Sequence, residues 1–344
     1  MRYRTLGASG CSVSVLALGT MTFGSETDEA GSHAQLDRFL EVGGTFVDTA
    51  DVYSKTESES IIGRWLAKQS PEVLDRVVIA TKGRFPTGDG PNDLGLSRRH
   101  LSRAIDASLR RLGTECIDLY QVHGFDPLTP VEETLRALDD AVRAGKVNYV
   151  GLSNFAAWQV QKAVDVADAR NLNPPVTLQP QYNLLAREIE WEIIPVCQSE
   201  GLGLLPWSPL GGGWLTGKYR RDQLPTGATR LGEDPHRGVE AYGPRSAQQR
   251  TWDVLSALET IAKAHGSSSA QVALSWVRDR PTVSSVILGC RTIEQLDDNL
   301  GAAELDLDEQ ETAALDEASD PGPAQYPYGP LALQQRSRKI EGGR

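Results

Sequence analysis

The chain has 344 residues, 40% of them hydrophobic and 24% charged, with a net charge of −11 from 35 Lys+Arg against 46 Asp+Glu. A chain this long buries roughly three quarters of its unfolded surface, so core size sets no limit, and an α/β barrel of this length commonly folds as one domain. An acidic balance offers no general field for phosphate backbones, which argues against nucleic acid as a partner.

Cys11, Cys116, Cys197 and Cys290 stand far apart, with no CxxC pair and no thiolate cluster for zinc. Such spacing suits small buried hydrophobes in a reducing compartment. The first ten residues, MRYRTLGASG, contain no apolar signal core, and no stretch approaches the ~20 apolar residues that span a bilayer. The expectation is a cytoplasmic protein without a membrane partner.

In chain order, a β-like segment first turns at Gly7–Gly10. Apolar runs follow at Val15–Gly19, Thr45–Ala50, Val77–Lys82, Ile117–His123, Val147–Asn154, Val176–Gln181, Leu204–Pro209 and Val286–Gly289. Their Val, Ile and Leu content fits strands buried on both faces. Helical patterns separate them. Leu101, Ile105, Leu109 and Leu112 follow Ser97 and end at Gly113. Val131, Leu135, Leu138 and Val142 follow Thr129-Pro130-Val131-Glu132, read as a capping box, and stop at Gly145. Thr292-Ile293-Glu294-Gln295 reads as a second box. Strands alternating with helices in this way predict a (β/α)8 barrel, with an N-terminal β-hairpin, a long loop after the seventh barrel strand, and extra helices at Ala247–His265 and Asp308–Ser319. The barrel domain is expected over 1–320 and an irregular tail over 321–344. Residues 210–245 hold eight Gly and three Pro without sustained periodicity, a composition expected of a functional loop.

Barrel chemistry sits at the C-terminal ends of the strands. Those ends read Asp48, Lys82, His123, Ser153-Asn154, Gln179 and Trp207-Ser208. Tyr53 lies on the loop leaving the Asp48 strand. Together Tyr53, Lys82, Asp48 and His123 make a proton-transfer unit: the ammonium lowers the phenol pKa, Asp48 aims the ammonium, and His123 orients a carbonyl. Each alone has a duller reading, as a loop tyrosine, a rim ion pair or a satisfied core histidine; the conjunction carries the argument. Several His and carboxylate metal ligands at strand ends are missing, so no metal is expected.

There is no GxGxxG. Gly212 to Lys218 spells the body of a phosphate-binding loop, but Tyr219 stands where a magnesium-binding Ser or Thr would be. Those glycines and Lys218 remain suited to a pyrophosphate. Gly289-Cys290-Arg291-Thr292 leads from the last strand into a helix, with Arg291 beside the helix N-terminus, an arrangement suited to a phosphate monoester.

These residues stand in Gly19-Thr20-Met21-Thr22-Phe23-Gly24, Phe46-Val47-Asp48-Thr49-Ala50-Asp51-Val52-Tyr53, Ala80-Thr81-Lys82, Gln121-Val122-His123, Gly151-Leu152-Ser153-Asn154-Phe155, Gln179-Pro180-Gln181-Tyr182-Asn183, Pro206-Trp207-Ser208-Pro209-Leu210 and Gly217-Lys218-Tyr219. In that order the chain resembles the aldo-keto reductase superfamily from about Arg2 to Leu315. Trp-Ser-Pro-Leu and Gly-Lys-Tyr resemble its bacterial, potassium-channel-β-like branch rather than the aldose reductase branch.

The resemblance implies an NADPH-dependent oxidoreductase that reduces a small-molecule aldehyde or ketone. It implies Tyr53 as general acid, Lys82 and Asp48 as its tuners, and His123 as the carbonyl-orienting group. For NADPH/NADP+ it implies Gly19, Thr20, Met21 and Asp48 at the first two strand ends. Ser153, Asn154 and Gln179 would hold the carboxamide, with Trp207 against the nicotinamide ring. Ser208, Leu210, Gly211 and Lys218 would line the pyrophosphate, with Arg230 nearby and Pro209 also at the cofactor. Gly289, Arg291, Gln295, Asp298 and Asn299 would hold the adenosine and its 2′-phosphate. Arg291 stands where relatives often carry Ser, and Gly124 where some carry a larger polar residue. The alternative implied by the same branch is an NADPH-binding, redox-sensing subunit with little turnover. The carbonyl substrate, the NADPH margin over NADH, the oligomeric state and the shapes of the 83–96 and 210–245 loops are left open.

Overall fold

The eight apolar runs become eight parallel strands, because residues of this type are buried on both faces only when helices cover the sheet. The computed structural model describes residues 1–227, 229–236, 238–322 and 325–329; most of the expected tail lies outside them. Strands β1 (Tyr3–Thr5) and β2 (Ser12–Ser14) form the antiparallel hairpin. The barrel strands are β3 (Leu16–Gly19), β4 (Phe46–Asp48), β5 (Val78–Gly83), β6 (Ile117–Val122), β7 (Val147–Ser153), β8 (Pro175–Gln179), β9 (Gly203–Leu204) and β10 (Val286–Gly289). They pair in chain order from β3 to β9, with β10 beside β3. The sheet closes between β9 and β10. Leu204 N donates to Thr282 O (2.7 Å), Ser284 N to Leu204 O (2.9 Å) and Ile287 N to Pro206 O (3.0 Å). The architecture is the expected (β/α)8 barrel.

Helices α1 (Glu29–Glu41), α2 (Glu57–Leu66), α3 (Arg98–Leu112), α4 (Val131–Arg143), α5 (Ala157–Arg170) and α6 (Ile193–Glu200) follow β3 to β8 in turn. Helices α7 (Gln249–His265) and α8 (Ser269–Arg278) both precede β10, and α9 (Ile293–Leu300) and α10 (Glu309–Ser319) follow it. The two helices outside the alternation, α7 and α10, pack on each other. Ser97 caps α3 through His100 N, and Gly113 ends it at φ 67°.

Two capping expectations need correction. Thr129 does not cap α4: Pro130 is the capping residue, and the Thr129 hydroxyl donates to Asp126 Oδ2 at 2.6 Å. At α9 half of the box forms. Thr292 accepts from Gln295 N, but Gln295 Oε1 accepts from Arg291 N (2.9 Å) instead of returning to Thr292.

Strand alternation explains the position of the chemistry. Ala17, Phe46, Ala80 and Leu119 form an inner cluster with Leu6 and Val13 of the hairpin, which closes the barrel's N-terminal end. Their neighbours Leu16, Val47, Ile79 and Tyr120 join the larger core toward the helices. Side chains alternate along a strand, so Asp48, Lys82 and Gln121, two residues beyond Phe46, Ala80 and Leu119, also face inward. They sit at the C-terminal end, and the register pairs Lys82 with Gln121 and Gly19 with Asp48.

Residues 210–245 are not structureless. They contain a 3-10 turn at Gly211–Thr216, a helical turn at Arg230–Glu233, another 3-10 turn at Gly238–Glu240 and the start of a short helix at Tyr242–Ser246. Gly212 and Gly213 take φ 65° and 95°, a region that glycine reaches without a Cβ penalty.

Candidate active site

A cavity of about 740 Å3 opens at the C-terminal end of the barrel and runs from Tyr53 and His123 to Lys218 and Arg291. The deepest feature beside it is Lys82, fully buried. Its Nζ donates to Asp48 Oδ1 (2.6 Å), Thr49 O (2.7 Å) and the Tyr53 hydroxyl oxygen (3.3 Å). An ammonium has three N–H groups, so all three are used. The Tyr53 oxygen is thus an acceptor toward Lys82, which leaves its own proton available toward the cavity. Asp48 Oδ2 accepts from Gln179 Nε2 (2.8 Å) and Gln121 Nε2 (3.3 Å), which fixes the carboxylate from its other side.

The electrostatics differ from the expectation of a lowered phenol pKa. Burial raises the Tyr53 pKa above its ordinary value of 10, and the attraction of Lys82 offsets this only in part. The phenol therefore stays protonated at neutral pH. Lys82 is held above its ordinary value: burial opposes the charge, but Asp48 and Tyr53 outweigh it. The His123 pKa is pushed down to about 2 by burial and then by the charges of Lys82 and Arg84. Its ring is neutral, with one N–H donor. It meets Tyr53 edge-on at 5.8 Å and Phe85 at 4.7 Å between centroids, and its buried Nδ1 has no hydrogen-bond partner. A protonated phenol and a neutral imidazole beside one cavity can donate two hydrogen bonds to a single oxygen.

Trp207 is held by Nε1 donating to Asn154 Oδ1 (3.0 Å), and Asn154 Nδ2 donates to His123 O (3.0 Å). Asn154, just past β7, and Ser208, four residues past β9, take φ of 56° and 52°. Such positions cost energy in non-glycine residues and turn the side chains out of the strand direction. Gly19, Thr20, Met21, Asp48, Gln179, Ser208, Pro209, Leu210, Lys218, Arg230, Gly289, Gln295, Asp298 and Asn299 are also on the cavity wall.

Ser153 and Gly211, expected at the cofactor, are not on that wall. Ser153 is fully buried, and its Oγ donates to Gln179 O (3.0 Å). Gly211 turns inward, its N–H held by Ser208 O (2.9 Å). Lys82 also lies behind the wall, reaching the cavity through Tyr53.

The sequence reading missed Phe85, Glu240, Glu26 and Glu233. Phe85 and Glu240 are on the wall. Glu26 and Glu233 hold Arg291: its Nε lies 2.5 Å from Glu26 Oε2, and its Nη1 and Nη2 donate to Glu233 at 2.8 and 3.1 Å. No spacing signal links residues so far apart in sequence. Gln121 was visible as the inner position two residues before His123. Among the described residues no group of His, Cys, Asp and Glu could hold a metal ion. None of their helices is long and apolar enough to cross a membrane.

Comparison with known proteins agrees with this geometry. The family described as aldo/keto reductase matches residues 15–320. An uncharacterized oxidoreductase, YrpG, of Bacillus subtilis (strain 168) is 39% identical over 94% of this chain and 97% of its own. A probable voltage-gated potassium channel subunit beta of Arabidopsis thaliana is 37% identical over 89% of this chain and 92% of its own. Versiconal hemiacetal acetate reductase of Aspergillus parasiticus is 34% identical over 98% of this chain and all of its own. With the barrel, the strand-end residues and these relatives in agreement, the chain belongs to the aldo/keto reductase family and is an oxidoreductase of that family.

Proposed function

We propose that the protein reduces an aldehyde or ketone to an alcohol with NADPH, and that Tyr53 donates the proton. The observation that carries this reading is the buried Lys82 ammonium, spent on Asp48, Thr49 and Tyr53, beside a neutral His123.

The cavity fits the cofactor. It is long enough to separate a reactive end at Tyr53 from a cationic end at Lys218 and Arg291. Between them Gly213 lies so close to Lys218 that a Cβ there would stand 2.7 Å from its Nζ. Backbone without side chains beside an ammonium suits a pyrophosphate. Burial and then the neighbouring Arg291 lower the Lys218 pKa, a shift that an anion placed there would oppose. Trp207 and Asn154 would flank the nicotinamide, Lys218 and Arg230 the pyrophosphate, and Arg291 the 2′-phosphate. Bound there, the nicotinamide supplies the hydride for the carbonyl carbon.

The protein's residues do the rest. His123 and Tyr53 hydrogen-bond the carbonyl oxygen and fix its direction. The Tyr53 proton passes to that oxygen as negative charge develops, and Lys82, hydrogen-bonded to the phenol oxygen, stabilises the charge left on it. Asp48 and Gln179 keep Lys82 in line. Phe85 and Trp207 give the reacting carbonyl an apolar wall.

The test is NADPH oxidation followed by absorbance over a panel of aldehydes and ketones. Turnover is expected, and Tyr53→Phe should lower it by about 10²–10⁴-fold with NADPH affinity within about threefold. Wild-type rates in the Phe variant would remove Tyr53 from this role. The likeness to a channel β subunit favours one second reading, a nicotinamide-binding subunit with little turnover. Tight NADPH binding with no reduction of any carbonyl in the panel would select it.

A further inference from the structure

Arg291 stands at the end of the cavity where the reading above, on which this inference rests, places a 2′-phosphate. It is already engaged. Its end-on fork faces the Glu233 carboxylate with two hydrogen bonds, at 2.8 and 3.1 Å, and its Nε lies 2.5 Å from Glu26. A guanidinium has five N–H donors in a rigid plane, and the two that grip a carboxylate or phosphate side by side are taken. One positive charge faces two negative ones. A phosphate monoester brought to this place would have to share the guanidinium with two carboxylates until one of them leaves.

The two carboxylates are not equally able to leave. Glu26 is part of the tight turn after β3, where Glu26 N donates to Thr22 O (3.0 Å) and Thr27 Oγ1 to Arg291 O (3.1 Å). That turn is tied to the Arg291 backbone. Glu233 ends a single helical turn, Arg230–Glu233, capped by Thr229, and its side chain is 47% exposed. It can swing into solvent without unmaking other structure.

We propose that Glu233 occupies, on Arg291, the place of the cofactor's 2′-phosphate, and so is a specificity-determining residue that narrows the preference for NADPH over NADH. NADPH must displace it to reach the guanidinium fork. NADH, with only a ribose hydroxyl there, leaves the pair in place and binds without that cost.

The test is tryptophan-fluorescence titration of the whole protein and of Glu233→Gln with NADPH, NADH, 2′,5′-ADP and 5′-AMP. A partly exposed bidentate pair is worth up to about 1 kcal/mol, close to a fivefold change in affinity. Glu233→Gln is therefore expected to bind NADPH and 2′,5′-ADP about three- to fivefold more tightly. Its affinities for NADH and 5′-AMP should stay within twofold. Because Glu233 is at the surface, the far-ultraviolet circular dichroism of the variant should match that of the original chain. Unchanged NADPH affinity, weaker NADPH binding, or an equal gain for both members of each pair would overturn the proposal. If the original chain binds neither dinucleotide, the nicotinamide reading falls as well, which separates that failure from an unchanged ratio between the two cofactors.

Discussion

Asp51 is a buried carboxylate near the Tyr53 arrangement. Its backbone N–H donates to Lys82 O (3.0 Å), yet neither carboxylate oxygen meets hydrogen-bond geometry with any neighbour. Tyr120, Glu59, Arg111 and Lys82 are the titratable groups around it, and the Tyr120 hydroxyl is likewise buried without a partner. Burial first, then Glu59, raises the Asp51 pKa from 3.8 to about 7. In the unfolded chain the carboxyl ionises above 3.8, and in the folded chain only above about 7. Between those values the folded state binds more protons, so stability falls as pH rises and the full penalty stands above 7. Asp51→Asn should therefore stabilise the protein at pH 8, by about 1–3 kcal/mol, and change little below pH 4. Urea unfolding at the two pH values reads this, and equal shifts at both would show that Asp51 carries no such penalty. Single residues were legible in the sequence where strand alternation and strand ends place them, as for Asp48, Lys82 and His123. Ser153 shows the limit. It stands at a strand end, but whether its hydroxyl faces the cavity or the Gln179 carbonyl depends on β7–β8 pairing, which is irregular between Val150 and Gly151.

At the scale of elements, the turn that carries Tyr53 is built at a cost. Ser54, Lys55 and Thr56 follow it with φ of 49°, 55° and 77°, three consecutive non-glycine residues in the left-handed region. A β-branched residue there is an outlier, and each such position costs on the order of 1–3 kcal/mol. Thr56 leads into α2 without a side-chain capping hydrogen bond, so its hydroxyl recovers nothing. Thr56→Gly should raise the unfolding free energy by about 1 kcal/mol, read as a higher urea midpoint, the relief exceeding the extra chain entropy of glycine. A lowered midpoint would show that the turn is not strained. The sequence contains no glycine at these positions, so nothing in it announced the conformation. The strands were legible because two-sided burial demands continuous apolar runs, a strong local pattern. Helix caps were less so: Thr129 had the right type and spacing, but Asp126 competed for its hydroxyl. The seventh barrel strand was read as Leu204–Pro209, whereas β9 pairs only at Gly203–Leu204. Its continuation through Pro206 still aligns with β10 through Ile287 N, which keeps Trp207 at the mouth.

For the whole molecule, the question is how a glycine-rich crossing of residues 210–245 is tied to a rigid barrel. Composition showed that this stretch was irregular, but its anchor is a long-range contact that no local pattern records. The anchor is Glu240, buried at 4% exposure. Its Oε2 accepts from Arg245 Nε (2.8 Å), its Oε1 accepts from Gln181 Nε2 beyond β8, and its carbonyl accepts from Trp214 Nε1 (3.0 Å). Trp214 in turn stacks on Tyr242 at 5.4 Å. Glu240 thus joins both ends of the crossing to the sheet, through its carboxylate to Arg245 and Gln181 and through its main-chain carbonyl to Trp214. Removing one partner of a buried ion pair costs about 3–5 kcal/mol, because the other is left uncompensated. That cost should fall on the crossing, since the ladders from β3 to β8 form without it. Glu240→Ala should accordingly speed amide exchange over residues 211–246, leave the slowest barrel amides unchanged, and shift Trp214 emission. Both NADPH and NADH should bind more weakly by a similar factor, because the crossing covers the part of the cavity that the two dinucleotides would share. That outcome would separate Glu240, as a positioning residue for either cofactor, from Glu233, which should affect only NADPH. If exchange instead accelerates across β3 to β8 as well, the crossing and the barrel unfold as one cooperative unit. In that case the crossing could not open independently of the barrel.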